Sequence, residues 1–159
     1  MAGYGGVIRD EKGCILYIFH YSLGRATNNM AELMALEKCL EILKNDNLQN
    51  IIIEADSELI INSVKRIYCG SAPEKVSRHW RLLRVYQRIH AHLQNMRTLS
   101  FKHVRRTANK LADILANKGA LCSKSSNKYR WHEVPQGRLR DDCLSQANTD
   151  RELYQNRGF

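Results

Sequence analysis

Hydrophobic and polar positions change period several times along this chain, and each change marks an expected element. Two apolar runs, Val7 to Arg9 and the aromatic-rich Cys14 to Tyr21, flank the charged turn Asp10-Glu11-Lys12-Gly13. That pattern predicts two antiparallel strands joined as a hairpin. Thr27-Asn28-Asn29 then offers helix-capping chemistry, and Met30, Leu33, Leu36, Leu40 and Leu43 follow at helical spacing. A helix should therefore run to about Lys44 and stop in the polar stretch 45–50. Ile51-Ile52-Ile53, continuing into Glu54-Ala55-Asp56, is a short β-branched run of the kind found in a central strand covered on both faces.

Leu59, Ile60, Ile61, Val64 and Ile67 predict a second helix over 57–67, followed by a loop over 68–77 that holds Gly70 and Pro73. Leu82, Leu83, Val85, Ile89 and Leu93 predict a third, basic helix over 80–96. Leu99 to Val104 reads as a further strand, and Asn109 to Lys118 as a last helix ended by Gly119. The order is β-β-α-β-α-α-β-α, an α/β fold with a mixed sheet and helices on both faces. From Ala120 the pattern turns polar and weakly periodic, so 1–119 is expected to be the domain and 120–159 a basic linker with a loosely structured tail.

Charge and cysteines narrow the class. With 25 Lys and Arg against 16 Asp and Glu, the formal charge of +9 suits a polyanion such as nucleic acid, although solubility alone would account for it equally well. Five scattered cysteines, Cys14, Cys39, Cys69, Cys122 and Cys143, show neither metal-finger nor C-x-x-C spacing and read as reduced, intracellular thiols of the nucleus or cytoplasm. No run of 18 apolar residues appears, and no membrane partner is expected.

Three acids fall where chemistry is possible. Glu32 lies in the first turn of the first helix, Asp56 at the carboxyl end of the buried strand, and Asp113 near the start of the last helix. Ligands of open α/β sheets gather beyond the carboxyl ends of strands, and Mg²⁺ takes carboxylate oxygens. Each acid also has an ordinary explanation. With Asn29 as N-cap, Glu32 would close a capping box; Asp56 could cap the next helix; Asp113 could favour a helix dipole.

"GYGGVIRDEKG", "TNNMAEL", "IIIEADSELI" and "HVRRTANKLADILANKG" occur in that order. Together they resemble the ribonuclease H type-1 domain, most closely its short plant and archaeal-like branch found in retroelement-derived proteins, over residues 2 to about 119. The resemblance implies hydrolysis of the RNA strand of an RNA–DNA hybrid at a site of two Mg²⁺ (or Mn²⁺) ions, with Glu32, Asp56 and Asp113 as catalytic, metal-binding carboxylates. It implies that Thr27, Asn28 and Asn29 contact the hybrid, with Ser57 and Asn109 nearby, where 2′-hydroxyl contacts tell RNA from DNA. It further implies a monomer without a nucleotide cofactor.

His103 lies ten residues before Asp113, the spacing of a loop histidine in many members of that family. Its alternation with Leu99 and Phe101 assigns it to the strand instead, in a structural role. Arg105 and Thr107 depart from the branch pattern and make that loop more basic. Arg81, Arg84 and Arg88, at i, i+3 and i+7, predict one basic stripe that either follows a phosphate backbone or is simply solvated. Members of the family open with an Asp-Gly strand, whereas this sequence opens at the following "MAGYGGVIRDEKG". The expectation is therefore a missing first, central strand and an incomplete two-metal site, as in a 5′-truncated gene or a degenerate copy. Asp10, in the hairpin turn, is no substitute. A non-catalytic nucleic-acid-binding remnant is the alternative, and a chain unable to fold the third.

Overall fold

The hairpin forms as its turn chemistry dictates in the structure, a computed structural model that describes residues 1–122 and 127–155. β1 (Ala2–Arg9) and β2 (Ile15–Gly24) pair antiparallel, both longer than the periodicity predicts. The Asp10 carboxylate accepts the amide hydrogens of Lys12 at 2.9 Å and Cys14 at 2.8 Å, and Gly13 takes φ 79°, so the turn uses Asp10 locally. Chain contacts divide the molecule into two compact units, Met1–Ala26 with Arg106–Phe159, and Thr27–Arg105.

In the first unit α5 (Lys110–Leu121) lies on β1 and β2. Its approach depends on missing side chains: a Cβ on Gly5 would stand 2.6 Å from Leu115 Cβ and 2.7 Å from its main-chain carbon. A Cβ on Gly119 would run into the Tyr21 main chain. Gly119 thus lies inside the helix, and the expectation that it ends the helix is corrected: it is glycine for closeness, not for a turn. β5 (Asn127–Arg130) adds to β2 antiparallel, giving the order β1-β2-β5. α6 (Arg138–Gln155) follows.

The loosely structured tail expected from Ala120 onward is therefore replaced by elements of this unit. Val134 and Cys143 are buried with Ile15, Ile18, Leu111 and Leu115, and Leu139 and Ala147 pack against them. Arg140 donates to the Val134 carbonyl at 3.0 Å and lies over the Trp131 ring, 4.8 Å from its centroid. Residues 123–126 and 156–159 of that expected tail lie outside the described residues.

The second unit is a parallel β-α-β arrangement. α1 (Asn28–Asn45) precedes β3 (Ile51–Ala55), and α2 (Glu58–Tyr68), the single-turn α3 (Pro73–Val76) and α4 (Trp80–Leu93) lead to β4 (Leu99–His103). β3 and β4 pair in parallel, Ile51 opposite Leu99 through Ala55 opposite His103. Leu33, Leu36 and Leu40 of α1, Ile60, Ile61 and Val64 of α2, and Val85, Tyr86 and Ile89 of α4 bury their apolar stripes around Ile53. β3 is covered less completely than its apolar run suggests, because Ile53 is buried but Ile52 is 57% exposed. Parallel and antiparallel strands are both present, as a mixed α/β fold requires, in two sheets among the described residues.

Candidate active site

Local capping decides what two of the three acids are available for. Thr27, at the N-cap of α1, accepts the Met30 amide hydrogen on Oγ1 at 3.2 Å. Asn28 and Asn29 are therefore the first two helical residues, and Glu32 is the fifth, one turn in. The capping-box alternative for Glu32, with Asn29 as cap, is corrected: the cap is already filled, and Glu32 Oε1 accepts a hydrogen bond from Asn28 Nδ2 at 3.1 Å. Asn29 is exposed in the same turn.

Asp56 follows β3 directly, and Ser57 takes the N-cap of α2, its Oγ 3.4 Å from the Ile60 amide nitrogen it accepts from. The alternative that Asp56 caps this helix is likewise corrected. His103, the last residue of β4, donates from Nε2 to the Asp56 carbonyl oxygen at 3.2 Å. Its ring thus braces the chain where Asp56 leaves the sheet. The Val104 amide bonds the Ala55 carbonyl at 2.9 Å beside it. Within Thr27–Arg105 the acids at issue therefore stand on α1 (Glu32) and beyond the carboxyl end of a parallel strand (Asp56).

Asp113 belongs to the other unit. It lies in the first turn of α5, behind Asn109 at the N-cap, whose carbonyl accepts the Asp113 amide hydrogen at 3.1 Å. Its carboxylate faces Arg106 at 3.6 Å, both side chains well exposed. The ordinary role expected of Asp113, at a helix N-terminus, is thus present in the fold, and an ion pair with Arg106 is added to it. Arg106 gives no helical signal toward Asp113 in the sequence, because it lies in a 3₁₀ turn, Arg106–Ala108, that precedes α5. Among the described residues no group of three or more His, Cys, Asp and Glu stands together as a metal-holding cluster.

The arginine stripe also changes. Arg88 leaves it to hold Glu37 of α1 with two bonds, Nε to Oε1 at 2.5 Å and Nη2 to Oε2 at 3.0 Å. Arg81 and Arg84 instead gather over Trp80.

A parallel strand followed by an acid that does not cap the next helix, a glycine-packed hairpin and helices on their faces define a ribonuclease H-like domain, and comparison with known proteins agrees. Residues 1–119 match the reverse transcriptase-like family, and the chain belongs to that family. It is 32% identical over 154 residues to an Arabidopsis thaliana protein named for ribonuclease H, covering 95% of this chain and 23% of that protein. It is 31% identical over 117 residues to a bifunctional protein of Mycobacterium tuberculosis, covering 73% of this chain and 30% of that protein. This chain thus spans less than a third of either relative's length. Among solved structures it resembles RNase H1 of the halophilic archaeon Halobacterium salinarum, with a TM-score of 0.60 and 30% identity over 74% of this chain and 83% of that one. The N-terminal RNase H domain of a Mycobacterium tuberculosis protein gives a TM-score of 0.62 and 28% identity over 74% and 81%.

Proposed function

We propose that this chain supplies a metal-dependent nuclease domain that hydrolyses the RNA strand of RNA–DNA hybrids and leaves a 5′-phosphate. The observation that carries the reading is that Thr27 and Ser57 do the capping that Glu32 and Asp56 would otherwise explain. Acids at a helix start and a strand end that no cap requires fit a charge-binding task. In this reading Glu32, Asp56 and Asp113 would hold Mg²⁺ or Mn²⁺, for which their hard oxygen donors are suited. Such ions, when bound, stabilise the attacking and leaving oxygens of an in-line displacement.

The chain's own polar groups would position the hybrid. The exposed amide of Asn29 suits sugar hydroxyls and base edges, with Thr27 and Asn28 beside it and Ser57 and Asn109 as further contacts. His103 would act through Asp56, as a brace on its main chain. The domain would work inside the cell as a monomer without a nucleotide cofactor, and its origin would be a retroelement. Incubation with a labelled hybrid and Mg²⁺ tests the reading: cleavage is expected, and it should disappear in Asp56→Asn while the thermal midpoint is retained.

A second reading, nucleic-acid binding without cleavage, is favoured by one feature. From Lys75 to Ala112 the chain holds ten Lys and Arg and no Asp or Glu. Tight, salt-sensitive binding of the hybrid with no cleavage in Mg²⁺ or Mn²⁺ would establish this reading instead.

A further inference from the structure

The basic stretch that begins at Lys75 reaches its most exposed point at Arg78-His79-Trp80-Arg81, where α4 starts. Trp80 is 58% exposed, although a tryptophan ordinarily buries most of its large apolar ring. Nothing in the core claims it: the buried stripe of α4 is Val85, Tyr86, Ile89 and Leu93. Instead the guanidinium carbons of Arg81 and Arg84 lie 5.1 and 5.5 Å from its ring centroid. Both arginines are exposed, and among the described residues neither has a carboxylate partner, in contrast to Arg88, which Glu37 holds.

These three groups form an aromatic face with two displaceable cations on it. An exposed cation–π contact is weaker than the stacking of a nucleobase on an aromatic ring, so a base can take the indole face. The released guanidiniums then meet phosphates, for which their planar forks are suited. A base reaches that face only if it is unpaired, because the bases of a duplex present edges in the grooves and keep their faces in the stack. We propose that the start of α4 binds single-stranded RNA or DNA, with Trp80 stacking on an unpaired base and Arg81 and Arg84 pairing with the phosphates beside it. The site extends the nucleic-acid reading above to unpaired strands and does not depend on cleavage.

The test uses the full chain in EDTA with labelled oligothymidylate and oligouridylate of about twelve nucleotides, a blunt hybrid of the same length, and polyglutamate as competitor. Anisotropy should show binding of both single strands, weakened about tenfold or more in Trp80→Ala and largely kept in Trp80→Phe, which preserves a stacking ring. In Trp131→Phe, where Trp80 is the one tryptophan left, the single strands should quench its fluorescence. Arg81→Ala with Arg84→Ala should reduce the salt dependence of binding by about two counterions.

Trp80→Ala binding the single strands as tightly as the unaltered chain would overturn the proposal. So would an equal loss for the blunt hybrid, or competition by polyglutamate as strong as by the oligonucleotides. Because binding is read without a divalent ion, absent hybrid cleavage would sink the nuclease reading and leave this one standing, and the converse holds as well.

Discussion

In Thr27–Arg105 the core is made of aliphatic side chains set at helical spacing, with Leu33, Leu40, Val64 and Ile89 fully buried around Ile53. The unit formed by Met1–Ala26 with Arg106–Phe159 reaches its density in another way. Its helix α5 is brought against β1 and β2 by residues that lack side chains, Gly3, Gly5 and Gly119, and a further glycine, Gly6, makes room for the Phe19 ring. The single glycine of 27–105, Gly70, meets nothing within 4 Å; it closes α2 with φ 108°. One unit is packed by what its side chains fill, the other by what its glycines leave out, so the two should respond differently to added and removed atoms.

Removal is the largest expected effect and should strike both. Leu33→Ala in one unit and Leu115→Ala in the other each delete a side chain with no exposed surface, and each should cost about 2–5 kcal/mol by the usual transfer and cavity terms. Denaturant unfolding measures it. A loss under about 1 kcal/mol at either position would mean that the site collapses onto the gap, which its close packing should prevent.

Addition separates the units. Gly5→Ala places a methyl 2.6 Å from Leu115 Cβ and against main-chain atoms of α5, which cannot rotate away, so a cost of about 1–3 kcal/mol is expected. Gly70→Ala meets open space and costs only the left-handed backbone conformation, roughly 1–2 kcal/mol. The two are told apart by amide exchange: Gly5→Ala should loosen amides along β1, β2 and α5, whereas Gly70→Ala should loosen only the last turn of α2. Loss of protection across α1 and α4 in Gly70→Ala would contradict the contrast.

The same difference explains what the sequence disclosed. Elements of 27–105, apart from the single-turn α3 that falls in the loop expected over 68–77, were legible because their apolar residues repeat at helical spacing or run together in a strand, as at Met30 to Leu43 and Ile51 to Ile53. Glu32, Asp56 and Asp113 were legible as candidates from their order among four motifs, but their caps were not: Thr27 and Ser57 offer the same oxygens as their neighbours, and only backbone geometry selects them. Gly119 read as a terminator because a close approach leaves no mark in periodicity. The end of the chain hid its fold behind polar residues. Its apolar anchors Leu139, Cys143 and Ala147 do repeat at i, i+4 and i+8, a narrow stripe within a helix that is mostly polar.

The smallest expected effect tests the glycine-packed unit through its charge. His20 of β2 is 1% exposed, and its Nδ1 has no partner among the described residues. Burial, and then the positive charge of Lys118, hold the imidazole below its ordinary value of 6.5. The folded chain therefore keeps His20 neutral at a pH where the unfolded chain has begun to take up a proton. With more protons on the unfolded state, stability must fall as pH drops through about 6.5, and the fall stops only where the folded imidazole titrates too. Denaturant midpoints measured from about pH 8 down to about pH 5 should decline more steeply in the unaltered chain than in His20→Leu, which cannot titrate at that position. Amide protection should show the decline in β1, β2 and α5, since His20 lies in the unit those elements build. Equal slopes in the two proteins would mean that His20 takes its proton as readily folded as unfolded, and that water reaches the strand the glycines are meant to seal.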